Sequence, residues 1–218
     1  MRSVIGLIGA KGAGKTTAFK AISSAFPGVV EITLAGKLKD TCAEVFNIPR
    51  DHFDSHEFKE KDLDTPAYMS LETVVSCLRS FYPENEYHLD FNLYVRPHMG
   101  KVLYTPRQVA QYVGTEVLRA MNPDIHCLAA TRGVEGNIFV VTDMRFPNEL
   151  DFFKKDPETV FNAIYVKNTS AEVMAGKDPH PSERYLFDLA RQAHPIPNES
   201  SINEFEHNVI SFVSTILK

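Results

Sequence analysis

The sequence predicts an α/β fold in which a mainly parallel sheet lies between two helical layers. Three observations carry that prediction. Short apolar runs alternate with helix-period segments along the 218 residues. The first run, Val4 to Ile8, is continuously apolar, as a strand covered on both faces must be. It leads directly into Gly9-Ala10-Lys11-Gly12-Ala13-Gly14-Lys15-Thr16, a loop of the G-x-x-x-x-G-K-T form.

The remaining elements follow in order. Lys15 to Ala25 reads as a helix stopped by Pro27-Gly28, and Val29 to Leu34 as a strand. Leu38, Cys42, Val45 and Phe46 have helical spacing that ends at Pro49. Residues 50–64 hold six carboxylates with little periodicity, and the carboxylate-rich stretch 51–64 reads as a solvated connector. Leu71, Val74, Val75 and Leu78 mark another helix. Tyr87, Leu89, Phe91, Leu93 and Val95 alternate with polar neighbours. With a turn at Pro97 to Gly100 and a return strand at Lys101 to Tyr104, they predict a β-hairpin.

Thr105-Pro106-Arg107-Gln108 is a helix start with a capping box, followed by the stripe Val109, Val113, Val117 and Ala120. Asn122-Pro123 opens a further helix. Ile138 to Thr142 and Val160 to Val166 are core strands, the first ending at Asp143. Residues 167–192 read as irregular, then helical. Ser201 and Glu204 form a second capping box that launches a final amphipathic helix.

Composition narrows the function classes. With 23 basic against 28 acidic residues the formal charge is −5, which disfavours a protein that grips a nucleic-acid polymer. Cys42, Cys77 and Cys127 form no C-x-x-C pair and read as buried free thiols of a reducing cytosol. The apolar run at the N-terminus is too short for a signal peptide, and no run is long enough to span a membrane.

The chemistry concentrates in five places. In the glycine loop the backbone folds round an anion and points N–H groups inward. The following helix adds its positive end. Lys15 supplies charge for the β and γ phosphates of a nucleotide, and Thr16 a hydroxyl for Mg²⁺. Asp143, past a core strand, suits the magnesium shell or a helix cap. Arg145, in Arg145-Phe146-Pro147-Asn148-Glu149, falls where a phosphate would lie. Arg107 and Gln111 stand one turn apart, with Gly114, Thr115 and Arg119 beyond. A guanidinium binds phosphate bidentately and an amide reads a base edge, although a solvated helix face has the same pattern. Lys177 to Arg184, with Arg191, supplies cations after a turn-rich stretch, as a mobile lid or a plain surface loop would.

Taken together, these strings resemble the phage-type deoxynucleoside monophosphate kinases. The likeness rests on G-A-K-G-A-G-K-T at 9–16, L-A-G-K-L-K at 34–39 and T-P-R-Q-V-A-Q-Y-V-G-T-E at 105–116. V-T-D-M-R-F-P-N-E at 141–149, H-P-S-E at 180–183 and the late Asn198 complete it.

The resemblance implies a single P-loop kinase domain over residues 1–218. It would carry an acceptor-side insertion at 36–104 and a lid-like segment at 167–192. The implied reaction moves the γ-phosphoryl of ATP to a deoxynucleoside 5′-monophosphate, with Mg²⁺, in the cytoplasm of the phage's host. The implied assembly is a homodimer. Gly9, Lys11, Gly12, Ala13, Gly14, Lys15, Thr16 and Thr17 would hold ATP, with Pro197 and Asn198 at the adenine. Thr16 and Asp143 would hold the metal. Lys37, Arg107, Gln111, Thr115, Asp143, Arg145 and Glu183 would face the acceptor. Lys15, Arg145 and Arg184 would stabilise the transferring group.

Two other readings stay open on the residues alone. One is a P-loop kinase for another small metabolite, such as dephospho-coenzyme A. The other is a nucleotide-dependent switch, which would need no second anion site.

Overall fold

Backbone hydrogen bonding turns the predicted alternation into one parallel sheet and a separate helical unit. The computed structural model describes residues 2–55, 57–82, 90–175 and 185–217. In chain order the elements begin with β1 (Arg2–Ile8), α1 (Lys15–Ala25), β2 (Val29–Ile32), α2 (Gly36–Phe46), β3 (Ala67–Tyr68) and α3 (Leu71–Phe81). Next come β4 (Val102–Leu103), α4 (Pro106–Gln111), α5 (Arg119–Met121), α6 (Ile125–Thr131) and β5 (Ile138–Val141). The chain ends with α7 (Pro147–Lys155), β6 (Thr159–Lys167), α8 (Thr169–Ala175), a short helix Leu186–Ala190, β7 (His194–Pro197) and the C-terminal helix Ile202–Ile216. Two compact units result: Met1–Leu34 with Thr131–Lys218, and Ala35–Ala130. Among the described residues no helix is long and apolar enough to cross a membrane.

The first unit is the α/β sheet the sequence predicts. Its five strands run parallel in the order β2-β5-β1-β6-β7, flanked by helices. β1 sits at the centre, with Ile5 opposite both Val140 and Asn162. Val4 to Ile8 are all buried, which explains the unbroken apolar run. Helix α1 packs against the C-terminal helix, which turns Phe205, Val209 and Val213 into the core. Ser201 caps that helix by accepting the Glu204 N–H at 3.3 Å.

Two features of this unit depart from the sequence reading. Residues 167–192 were expected to begin irregularly, yet α8 starts at Thr169. Asn168 drives it: its side-chain oxygen accepts the Ala171 N–H at 2.9 Å, the geometry of a helix cap. The strand β7 has no counterpart in the sequence reading. Its His-Pro-Ile-Pro run disguises it, because prolines demote a strand everywhere except at a sheet edge, and β7 is an edge.

The second unit is built on helix packing. Leu38 and Cys42 of α2, Val74 and Leu78 of α3, and Val109 of α4 share one apolar core. The thiols of Cys42 and Cys77 lie within it, and burial pushes Cys77 up to about 12. Helix α2 ends at Asn47, whose left-handed φ of 53° breaks it two residues before Pro49.

The expected hairpin does not form between 91–95 and 101–104. Phe91–Val95 is instead a π-helical turn, started by the Asp90 carboxylate accepting the N–H groups of Asn92 and Leu93 at 2.9 and 3.1 Å. Only Val95 of that run is buried, so the alternation does not mark a sheet face. The predicted return strand survives as β4, whose partner is β3, with Tyr68 opposite Val102. Tyr87 and Leu89 lie outside the described residues.

Candidate functional site

The glycine loop joins β1 to α1, the context its motif requires. Ala13 closes an inner turn by donating its N–H to the Ala10 carbonyl at 3.1 Å. Gly12 and Gly14 take φ values of 83° and 110°, which L side chains adopt only with strain. Gly14 is the N-cap of α1 and gives it no side-chain cap. That is the usual preparation of a helix end for an external anion. Lys15 folds its ammonium over the loop, donating to the Gly9 and Ala10 carbonyls at 2.5 and 2.9 Å. Lys11, Gly12 and Thr16 are exposed, while Gly9, Gly14 and Thr17 are half-buried.

Asp143 stands just past β5, the immediate neighbour of β1. Parallel pairing of Gly6 with Val141 brings the glycine loop and Asp143 out at the same end of the sheet. This is the end where open parallel sheets bind ligands. One Asp143 oxygen accepts the Leu34 N–H at 2.7 Å, which fixes the carboxylate's orientation. The Thr16 hydroxyl and the Asp143 carboxylate are hard oxygen donors of the kind Mg²⁺ takes when most of its shell is phosphate and water. Among the described residues no three His, Cys, Asp or Glu side chains cluster.

Arg145 follows two residues later, and its backbone is held by the acid four residues on. The Glu149 carboxylate, 2% exposed, accepts the N–H of Arg145 at 2.6 Å and of Phe146 at 3.0 Å. The signal was available: a Glu three residues after the turn that opens a helix is half of a capping box.

Pro197 is exposed and Asn198 half-buried. Asn198 donates its side-chain amide to the Ala13 carbonyl of the glycine loop at 2.7 Å.

In the second unit Arg107, Gln111 and Thr115 are half-buried and follow one another at four-residue spacing. Thr105 caps their helix by accepting the Gln108 N–H at 3.1 Å, while the Gln108 amide oxygen accepts the Tyr104 N–H at 2.8 Å. Beyond Gln111 the helix widens into a π-helical segment, Tyr112–Leu118. Such segments recur at functional sites. Gly114 lies within it, and a Cβ there would sit 2.6 Å from Leu38 Cδ2, so the glycine serves close packing. The buried His126 ring places Nε2 3.1 Å from the Gly114 carbonyl, which requires the proton on Nε2. Burial lowers the His126 pKa to about 4, so this histidine is neutral.

Arg107 donates to Glu60 at 2.8 Å, and its N–H to the Lys59 carbonyl at 3.0 Å. The stretch 51–64 is therefore more than a solvated connector. Phe53 is buried, and Leu63 donates its N–H to the Tyr104 carbonyl at 2.7 Å. Lys61, Asp62 and Asp64 line a cleft of about 630 Å³ with Phe58, Tyr68 and Pro106. Glu60 was missed because nothing in a carboxylate-rich run distinguishes one acid from the next. Lys37 is exposed in the first turn of α2, and Arg119 donates to the Pro123 carbonyl at 3.1 Å. Glu183 and Arg184 lie outside the described residues.

No family model and no curated protein matches the chain. Among solved structures it is similar to a dephospho-CoA kinase from Campylobacter jejuni, at 12% identity and a TM-score of 0.39, over 98% of this chain and 96% of that one. A likeness of that degree carries no functional weight.

Proposed function

We propose that the chain is a deoxynucleoside monophosphate kinase, moving the γ-phosphoryl of ATP to a deoxynucleoside 5′-monophosphate. The reading is supported by a phosphate loop with Asp143 and Arg145 beyond the adjacent strand, and, within the other unit, by half-buried Arg107 and Gln111 one helical turn apart, side chains of the kind that hold a second anion. A nucleotide switch has no use for such a pair. The same resemblance implies a homodimer in the host cytoplasm.

The chemistry fits these side chains. The attacking group is a phosphate oxygen, already anionic near neutral pH, so no general base is required. What remains is to bring together two polyanions and to neutralise charge that spreads in the transition state. In this reading the glycine loop presents its amides to the triphosphate, and Lys15 leaves the Gly9 and Ala10 carbonyls to meet the β and γ oxygens. Arg145, on a backbone fixed by Glu149, stabilises the transferring group together with Arg184. Arg107 forks onto the acceptor phosphate, exchanging Glu60 for it, and Gln111 and Thr115 orient the nucleoside beside Lys37. Thr16 and Asp143 would hold Mg²⁺, which when bound offsets charge on the phosphate oxygens.

The test is ADP release with dAMP, dGMP, dCMP and dTMP as acceptors, and with dephospho-coenzyme A beside them. Acceptor-dependent turnover with at least one deoxynucleotide is expected. Turnover with none of the monophosphates would sink the assignment. A response to dephospho-coenzyme A alone would transfer it to the metabolite kinases.

A further inference from the structure

The carboxyl ends of β6 and β7 are tied to the glycine loop through two asparagines. Asn168, just past β6, donates its side-chain amide to the Asn198 carbonyl at 2.9 Å. Asn198 in turn donates its own N–H to the Lys167 carbonyl at 2.8 Å. Its main chain is thus held on both sides before its side chain is used. That side chain then donates to the Ala13 carbonyl at 2.7 Å, across 185 residues of sequence.

The fit around this bond is tight. A Cβ added to Gly14 would stand 2.4 Å from the Asn198 Nδ2. The loop therefore approaches the amide as closely as a glycine allows. A glutamine would be one carbon too long for the space, and a serine would fall short of Ala13. An aspartate has the right shape but no proton to give, and would set a carboxylate against a carbonyl oxygen.

Elementary geometry links this bond to the anion site. In a planar trans peptide the C=O and the N–H point in opposite directions. Drawing the Ala13 carbonyl toward Asn198 turns the Gly14 N–H of the same peptide away from it. The inner turn from Ala13 to Ala10 and the left-handed φ of Gly14 fix the rest of that peptide's surroundings.

We infer that Asn198, supported by Asn168, is a positioning residue for the triphosphate. It locks the Ala13–Gly14 peptide so that the Gly14 N–H is presented to a phosphate oxygen, and it does not read the adenine. The inference rests on the reading of the loop as a triphosphate site. It replaces a base contact at Asn198 with a contact to the loop itself.

Binding of ATP, GTP and inorganic tripolyphosphate to the full chain separates the two roles. Asn198→Ala should weaken all three by a common factor of roughly tenfold, the worth of one well-placed hydrogen bond. The ratio of ATP to GTP affinity should stay as it is. Asn198→Asp should weaken all three at least as much, with the shape of the side chain kept. Asn168→Ala, which removes the support of Asn198 together with the cap of α8, should move all three less and in the same direction. It serves as the test if the Asn198 variants fail to fold, as judged by thermal melting.

Unchanged tripolyphosphate binding with an altered ATP to GTP ratio would make Asn198 a base reader and overturn the inference. So would variants that bind every ligand as the wild type does. Wild-type protein that binds neither ATP nor tripolyphosphate would remove the phosphate-loop reading itself. That failure is distinguishable because it appears without any substitution.

Discussion

In the sheet unit, Asp143, Glu149 and Asn198 each spend a polar side chain on a main-chain group: Leu34, Arg145 with Phe146, and Ala13. In the helical unit, Arg107, Gln111 and Thr115 stand on a helical stretch whose Val109, Val113 and Val117 are buried in an apolar core. The contrast is one of emphasis: the helical unit also holds main-chain groups with side chains, at Asp90, Thr105 and Gln108, but the helix that carries Arg107, Gln111 and Thr115 is seated by packing. The difference follows from the ligand groups each would meet. Backbone amides must be aimed by fixing the backbone, whereas a guanidinium needs only a rigid helix to stand on.

The comparison can be broken most severely at the loop. Lys15→Ala should lower kcat/KM by about a thousandfold, because the charge on the transferring group is then uncompensated. Steady-state kinetics check this, and near-normal values would refute the loop's role. Glu149→Ala tests whether side chains hold the sheet unit's loops. It strands two N–H groups beside a buried site, and the expected cost is about 2–3 kcal/mol in urea unfolding. A cost near zero would mean the 143–146 backbone holds its own shape.

Arg107→Ala sharpens the other side. It should raise the acceptor KM roughly tenfold and leave the ATP KM nearly unchanged, since one charge-assisted contact is lost. Equal effects on both substrates would take Arg107 away from the acceptor.

The smallest expected effect concerns His126. Its folded pKa of about 4 lies below the ordinary histidine value. Above the ordinary value both folded and unfolded chains hold it neutral. As pH falls toward the folded value only the unfolded chain takes up the proton, so stability is lost across that window. His126→Gln keeps a donor for the Gly114 carbonyl and cannot titrate. Its stability should therefore fall less than the wild type's between about pH 6.5 and pH 4, as urea midpoints would show.

Much of this was legible in the sequence where the signal is local. The apolar run of β1, the glycine loop opening α1, and the Thr105 and Ser201 caps all depend on residues within a few positions of one another. The misses have several causes. Over the described residues the hairpin gives way to a local cap at Asp90, and Phe91 and Leu93 of the alternating pattern are exposed. The π-helical widening at Tyr112–Leu118 leaves no mark in a periodicity argument, since Val113 and Val117 still look like an ordinary stripe. Asn198 was placed near the nucleotide only through resemblance. Its partner Ala13 lies 185 residues away, a distance at which sequence spacing says nothing.

The prolines of β7 have a consequence for how the sheet ends. The Asn198 N–H points toward β6, where it meets the Lys167 carbonyl. Main-chain groups alternate in direction along a strand, so positions 195 and 197 turn their nitrogens toward the open side. Both are proline and have no hydrogen to offer. A further strand, from another copy or an unfolded neighbour, would find no donor on that side of β7. The sheet ends there by covalent chemistry, and a parallel sheet that would otherwise template its own extension is closed to growth at this border.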